Sequence, residues 1–152
     1  MVVEGYFDVI ALHAAGITNA VASLGTALSS QQITQLCRCC EGRRMVLNFD
    51  SDGAGVRAAQ RAIGEVEQLA LQGQLELRVL QLPSGKDPDE FLKSQGAGDY
   101  RALLDQAPLW LDWQIEQVLE GRDLARPDQF QLAVTALVAL LGKLPQSAVR
   151  SH

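Results

Sequence analysis

The chain contains 152 residues, of which 47% are hydrophobic, 20% charged and 5% aromatic, and this composition excludes the disordered class. The formal net charge of −5 excludes a free-standing module that holds nucleic acid by bulk positive charge. No apolar run is long enough to cross a bilayer, and the opening residues Met1–Glu4 lack the regions of a signal peptide. We therefore expect a cytoplasmic protein with no membrane partner.

Short apolar runs alternate with helical patterns through the first two-thirds of the chain. The patterns predict strands at 1–3, 20–23, 44–49 and 75–82, and helices at 6–15, 31–38 and 54–71. Gly16 and Gly73 favour helix ends, and Ser29 favours a helix N-cap. This order predicts an α/β fold, with a parallel sheet and helices packed on its faces.

After Pro88 the pattern becomes helical throughout. Helices are predicted at 89–94, 100–106, 109–120 and 128–143, with breaks at Gly96–Gly98 and Gly121. We predict an α/β domain over residues 1–106 and a helical tail over residues 107–152. Trp110 and Trp113, three apart on one predicted helix, are expected to pack in a core rather than to stack on nucleotide bases.

The three cysteines do not have the spacing of a zinc site. Structural zinc needs four ligands, usually in two separated pairs, and here Cys37, Cys39 and Cys40 stand in one short stretch. Because Cys37 and Cys40 are three residues apart, they are expected to be small buried residues on one helical face.

Acidic side chains occur where the predicted strands end. They are Glu4, Asp50, Asp52, Asp87 and Asp89. Asp8, one helical turn after Glu4, can face the same place. The carboxyl ends of parallel strands meet at one edge of a sheet, so these carboxylates are expected to converge. Gathered carboxylates repel one another, and a divalent cation such as Mg²⁺ compensates that repulsion and recruits substrate phosphates.

Each carboxylate also has an ordinary structural interpretation. Asp50 or Asp52 could cap the helix that follows, and Asp87 and Asp89 could shape the turn around a proline. Glu4 could be a solvated edge residue. The convergence of all three clusters at one edge favours the metal site.

Four segments resemble the toprim domain of bacterial replicative primases of the DnaG type. Residues 3–8 (VEGYFD) resemble its opening motif, and residues 48–55 (NFDSDGAG) resemble the paired-aspartate motif of toprim folds. Residues 22–28 (ASLGTAL) and 85–90 (GKDPDE) are similar to two further segments of these primases. The resemblance covers residues 1 to about 106 and implies a toprim-like sheet.

The resemblance also implies roles for the acidic residues. Glu4 would be a metal ligand or general acid/base, Asp50 and Asp52 would bind catalytic Mg²⁺, for which Mn²⁺ substitutes, and Asp87 and Asp89 would complete the cluster. Asp8 would support them. The implied activity is synthesis of short RNA primers on a single-stranded DNA template from nucleoside triphosphates, and the full-length family docks on the replicative helicase.

Arg57 and Lys86 are further candidates for contacts to a triphosphate. A solvated helix face, with Arg57 and Arg61 pairing with Glu65, and a plain surface lysine are the structural alternatives.

Full-length primases also carry a zinc-binding domain, a basic subdomain and a helicase-docking domain. This chain is expected to open inside the first toprim strand, with no zinc ligand set, no basic subdomain and no room for a complete helicase-docking domain. By itself it should therefore be a poor or inactive primase. Two other functions remain open: another toprim protein, such as a topoisomerase or nuclease fragment, and a non-catalytic Mg²⁺-binding module of the phospho-acceptor receiver kind.

Overall fold

A four-stranded parallel sheet forms the centre of the first part of the chain. The computed structural model describes residues 1–24, 28–49, 53–83 and 86–144. The strands are β1 (Val2–Val3), β2 (Val21–Ala22), β3 (Arg44–Asn48) and β4 (Glu76–Leu80), in the order β2-β1-β3-β4. All neighbours are parallel, with Val3 opposite Asn48 and Asn48 opposite Leu80. The predicted α/β fold with a parallel sheet is confirmed.

The described residues of this part of the chain form five α-helices. They are α1 (Tyr6–Ala14), α2 (Ser30–Cys39), α3 (Gly53–Leu71), α4 (Pro88–Gln95) and α5 (Ala97–Gln106). Ser29 caps α2 as predicted, since its hydroxyl accepts a hydrogen bond from the Gln32 N–H. The helix α5 begins earlier than the predicted Tyr100, because Gly96 adopts a φ of 88° and is by itself sufficient to separate α4 from α5.

The core lies on both faces of the sheet, because β3 is buried from Met45 to Asn48 without the alternation of a half-exposed strand. One cluster joins Val3, Leu12 and Leu80 with Phe91 and Tyr100 from α4 and α5. The helix α3 buries Ile63 and Val66 completely. The strands and helices around the carboxyl edge of the sheet are thereby fixed by packing.

The chain divides into two compact units, of which the first ends at Leu109 and the second begins at Trp110. Residues beyond α5 stay with the first unit because they run along β4. The Val79 N–H donates to the Pro108 carbonyl oxygen (3.1 Å), and Arg78 Nη1 donates to the Ala107 carbonyl oxygen (2.6 Å). These contacts cover part of the exposed edge of the last strand.

The second unit contains α6 (Trp110–Leu119) and α7 (Pro127–Leu141), which pack against each other. Trp110 and Trp113 are buried, so core packing, and not base stacking, is the interpretation that the structure supports. None of the helices in the described ranges is long and apolar enough to span a membrane.

The prediction for the cysteines is wrong. The helix α2 ends at Cys39, and Cys40 has an extended backbone (φ −89°, ψ 117°) that leads into the 3-10 turn Glu41–Arg43. Cys37 and Cys40 are only half-buried, and Cys39 is exposed. The two residues cannot share a helical face because one of them lies outside the helix.

Candidate active site

The carboxyl ends of β1, β3 and β4 lie level with one another because their last residues are paired across the sheet. Glu4 follows β1 directly, and the segment after β4 leads to Asp87 at the start of α4. Asp50 and Asp52, predicted to be metal ligands, follow β3 in the sequence but lie outside the described residues. The site can therefore be described from the β1 and β4 sides.

Asp8 is the most unusual of these acidic residues because it is a carboxyl group with only 8% of its surface exposed. Its Oδ2 accepts a hydrogen bond from the Gly5 N–H (3.0 Å), and the backbone N–H of Asp89 also hydrogen-bonds to it. Asp8 thus fastens the start of α1 to the start of α4, two helices that pack together.

The electrostatics of Asp8 show that three acidic residues come together. Burial is the largest effect and raises the pKa of the Asp8 carboxyl, and the negative charges of Asp87 and Glu4 raise it further. The two backbone hydrogen bonds lower the pKa but do not outweigh these effects. Glu4 and Asp87 lie near enough to Asp8 to raise its pKa. The convergence of all the acidic residues on one metal site stays a prediction.

Asp87 has a structural role as well as its place in the cluster. It is the N-cap of α4: its Oδ1 accepts a hydrogen bond from the Glu90 N–H (2.7 Å), and Pro88 occupies the first helical turn. Asp89 forms an ion pair with Lys93 (Oδ2 to Nζ, 2.5 Å). Both residues keep a second carboxylate oxygen, so capping and pairing do not use up their capacity to bind a cation.

The oxygen donors of this edge suit a hard divalent cation. Mg²⁺ and Mn²⁺ prefer carboxylate oxygens and water, and they are commonly held by one or two carboxylates together with substrate phosphates. Within the described ranges, no three acidic, histidine or cysteine side chains approach closely enough to hold one ion. A complete ligand set would therefore include donors beyond those ranges, and Asp50 and Asp52 are the predicted ones.

The two predicted phosphate-binding side chains lie in different settings. Arg57 is exposed near the start of α3, and its Nη1 would be 3.2 Å from a Cβ added at Gly53, so the guanidinium folds back toward the start of the helix. Neither Arg57 nor Arg61 forms an ion pair with Glu65 in the part of the chain that the structure describes. Lys86 donates from Nζ to Ser94 Oγ (2.8 Å).

Sequence reasoning missed a buried polar pair immediately below this edge. Asn48 and Tyr100 are 2% and 0% exposed, and the Tyr100 hydroxyl donates a short hydrogen bond to Asn48 Oδ1. A polar Asn48 within the otherwise apolar run Met45–Phe49 was the only signal that could have indicated it. The partner, 52 residues away in the chain, could not be inferred from spacing.

Comparison with known proteins agrees with this geometry. Residues 1–92 match the family described as Toprim-like, and residues 111–152 match the family described as the DnaB-helicase binding domain of primase. The chain belongs to the toprim-like family. The resemblance to the toprim domain of bacterial primases, on which the sequence interpretation depended, is thereby confirmed.

Known primases are similar to this toprim chain over its whole length. It is 64% identical to a DNA primase of Synechococcus elongatus over 152 residues, which are 100% of this chain and 22% of that protein. A crystal structure of a DNA primase domain from Pseudomonas aeruginosa is 38% identical, with a TM-score of 0.78, and the match covers 99% of this chain and 46% of that one. A DnaG primase catalytic domain bound to single-stranded DNA is 31% identical, with a TM-score of 0.78, over 99% and 48% of the two chains. The chain thus spans about a fifth of the primase of Synechococcus elongatus.

Proposed function

We propose that this toprim chain supplies the metal-binding part of the catalytic site of a DNA primase, which synthesises short RNA primers on single-stranded DNA. The observation that carries the proposal is the convergence of Glu4, Asp8 and Asp87 at the carboxyl edge of a toprim sheet. The similarity to primases over the whole chain favours this function over a topoisomerase, a nuclease or a receiver module.

The reaction is the transfer of a nucleotide to a growing primer. A bond forms between the primer 3′-hydroxyl oxygen and the α-phosphorus of a nucleoside triphosphate, the bond to the β-phosphate oxygen breaks, and pyrophosphate leaves. Two Mg²⁺ ions would stabilise the charge on the attacking and leaving oxygens. Glu4, Asp50, Asp52, Asp87 and Asp89 would hold these ions, with Mn²⁺ as a substitute, or in the case of Glu4 move the proton of the hydroxyl.

Asp8, Arg57 and Lys86 would act around these ligands. Asp8 holds Gly5 and Asp89 by their backbone N–H groups and so keeps the neighbouring carboxylates in place. Arg57, folded toward the start of α3, is suited to meet the triphosphate of an incoming nucleotide. Lys86 would contribute to the same contact if its bond to Ser94 is exchanged for one to a phosphate.

The partners follow from the same comparisons. The structural relative with bound single-stranded DNA supports a single-stranded DNA template, and the helicase-binding family matched by residues 111–152 supports the replicative helicase as a partner of the second unit. The net charge of −5 gives this chain little attraction for a polynucleotide. We therefore expect the 152 residues by themselves to extend primers poorly, and a substantial rate on a bare template would contradict this.

The proposal is tested by titrating Mn²⁺ into the chain and following free Mn²⁺ by EPR, with and without a nucleoside triphosphate. The variant Asp50→Asn/Asp52→Asn should lose the binding that the triphosphate strengthens in the wild type. Glu65→Gln is a matched control, because Glu65 is exposed on α3 and lies about 18 Å along the helix from Gly53. If the double variant binds Mn²⁺ like the wild type and the control, these aspartates are not metal ligands and the proposal fails.

A further inference from the structure

A buried hydrogen-bonded pair lies directly below the carboxyl edge of the sheet. Asn48, the last residue of β3, donates from Nδ2 to the carbonyl oxygen of Leu80, the last residue of β4 (3.1 Å). A carbonyl can only accept, so this contact fixes which end of the amide faces which partner. The Oδ1 of Asn48 then faces Tyr100, whose hydroxyl must be the donor.

Tyr100 connects Asn48 to the elements that carry the acidic residues. Its ring packs edge-to-face on Phe91 of α4, with centroids 5.9 Å apart and an interplanar angle of 67°, and its hydroxyl lies 3.4 Å from the sulfur of Met1. Burial and, to a lesser extent, the nearby charge of Asp8 raise the pKa of the Tyr100 phenol, and Tyr100 shares a buried hydrophobic cluster with Leu12 of α1. One side chain thus adjoins β3, α4, the start of β1 and α1.

We propose that Asn48 and Tyr100 are positioning residues for the divalent-metal site. The Asn48–Leu80 hydrogen bond joins the carboxyl ends of β3 and β4, and the Tyr100–Asn48 bond joins β3 to α5. The Tyr100 ring packs on Phe91 of α4, the helix that Asp87 caps. The inference rests on the proposed function. Both joined strand ends lead to predicted ligands: Asp50 follows Asn48 by two residues, and Asp87 follows Leu80 by seven. Neither Asn48 nor Tyr100 would touch the metal.

A metal site of this kind needs such support. Carboxylates gathered without an ion repel one another, and groups behind the ligands fix their orientation and with it the metal affinity. Asn48 and Tyr100 are both buried, and their polar atoms are hydrogen-bonded. A buried polar pair with both partners satisfied specifies a single arrangement of the elements that it joins.

The test compares Mn²⁺ affinity and folding stability in Tyr100→Phe, Asn48→Leu and the double variant. Tyr100→Phe leaves Asn48 Oδ1 without a donor, and Asn48→Leu leaves both the Tyr100 hydroxyl and the Leu80 carbonyl without their Asn48 partner. The double variant removes both ends of the Tyr100–Asn48 bond but still leaves the Leu80 carbonyl without the Asn48 donor, so it should regain part of the lost stability. If the pair positions the site, all three variants bind Mn²⁺ about ten-fold more weakly than the wild type. Met45→Ala, in the core at the opposite end of β3, should lose stability without losing Mn²⁺ affinity.

The outcomes separate this inference from the function on which it rests. Mn²⁺ affinity that stays at the wild-type value in every variant, or that recovers together with stability in the double variant, overturns the positioning role and leaves the metal site intact. A wild-type chain that binds no Mn²⁺ refutes the metal site and the positioning role together. Weakened binding in Met45→Ala would also overturn the inference, because affinity would then follow stability alone.

Discussion

Removal of the Tyr100 hydroxyl group should destabilise the chain more than removal of a hydroxyl group from an exposed tyrosine. Tyr100→Phe leaves the Asn48 Oδ1 without a donor in a site that is closed to water, since the two residues are 0% and 2% exposed. An unsatisfied buried acceptor costs about 1–3 kcal/mol. For a chain of this length each kcal/mol lowers Tm by roughly 2–4 °C.

The sequence offers a matched control for this variant. It contains two tyrosines, and Tyr6 is 58% exposed, so Tyr6→Phe removes the same atom from a solvated position. We expect Tyr6→Phe to change the free energy of unfolding by less than about 0.5 kcal/mol. Urea unfolding followed by circular dichroism measures both variants against the wild type in the same buffer.

The difference in the free energy of unfolding between Tyr100→Phe and Tyr6→Phe tests whether the buried hydrogen bond is stabilising. If Tyr100→Phe is as stable as Tyr6→Phe, then the hydrogen bond to Asn48 contributes nothing that the unfolded chain does not obtain from water. The assignment of Asn48 and Tyr100 as a stabilising pair would then be wrong. A loss well above 3 kcal/mol would indicate a rearranged core around Phe91, which a near-UV spectrum would detect.

Three further results are expected. Because burial chiefly raises the pKa of Asp8, the unfolded chain loses that proton first. Without metal, the stability of the wild type relative to Asp8→Asn should therefore fall as pH rises from the ordinary carboxyl pKa to the raised pKa of the folded chain, by at most about 1.4 kcal/mol per pH unit. A difference that rises with pH in urea unfolding contradicts this. The Tyr6→Phe variant keeps Tyr100 as its one tyrosine. Because the pKa of Tyr100 is raised, tyrosinate absorbance should appear only when alkali unfolds this variant. Tyrosinate absorbance in a variant that is still folded by circular dichroism would refute the prediction. Mg²⁺ at 100 times its Kd should stabilise the wild type by about 2.7 kcal/mol and should not stabilise Asp50→Asn/Asp52→Asn. If Mg²⁺ raises the Tm of both proteins equally, Asp50 and Asp52 are not its ligands.

Some features of this protein were predictable because they depend on local patterns. The alternation of apolar runs and helical spacing predicted a parallel sheet, since successive parallel strands need a crossover helix. Ser29 was predicted to cap α2 and does so. The position of acidic residues just after strands predicted where Glu4 and Asp87 would lie, because strand direction alone carries those residues to one edge.

Other features were not predictable, for identifiable reasons. Cys37 and Cys40 have helical spacing, but the helix ends between them, and helix ends are the least certain part of a pattern. Asp87 is both an N-cap and a member of the acidic cluster. The sequence offered a turn around Pro88 as the alternative to the cluster and did not indicate the cap, because an N-cap is recognised only once the start of its helix is known.

The sequence by itself determined the class of fold and the family, because these follow from hydrophobic period and from short motifs of neighbouring residues, and it predicted an acidic metal site. The tertiary structure decided which side chains are buried beside the acidic residues. It placed Asp8 in a buried position between α1 and α4, and it paired Asn48 with a tyrosine 52 residues away. Contacts of that separation depend on how helices pack on the sheet, and no local pattern of residues encodes them.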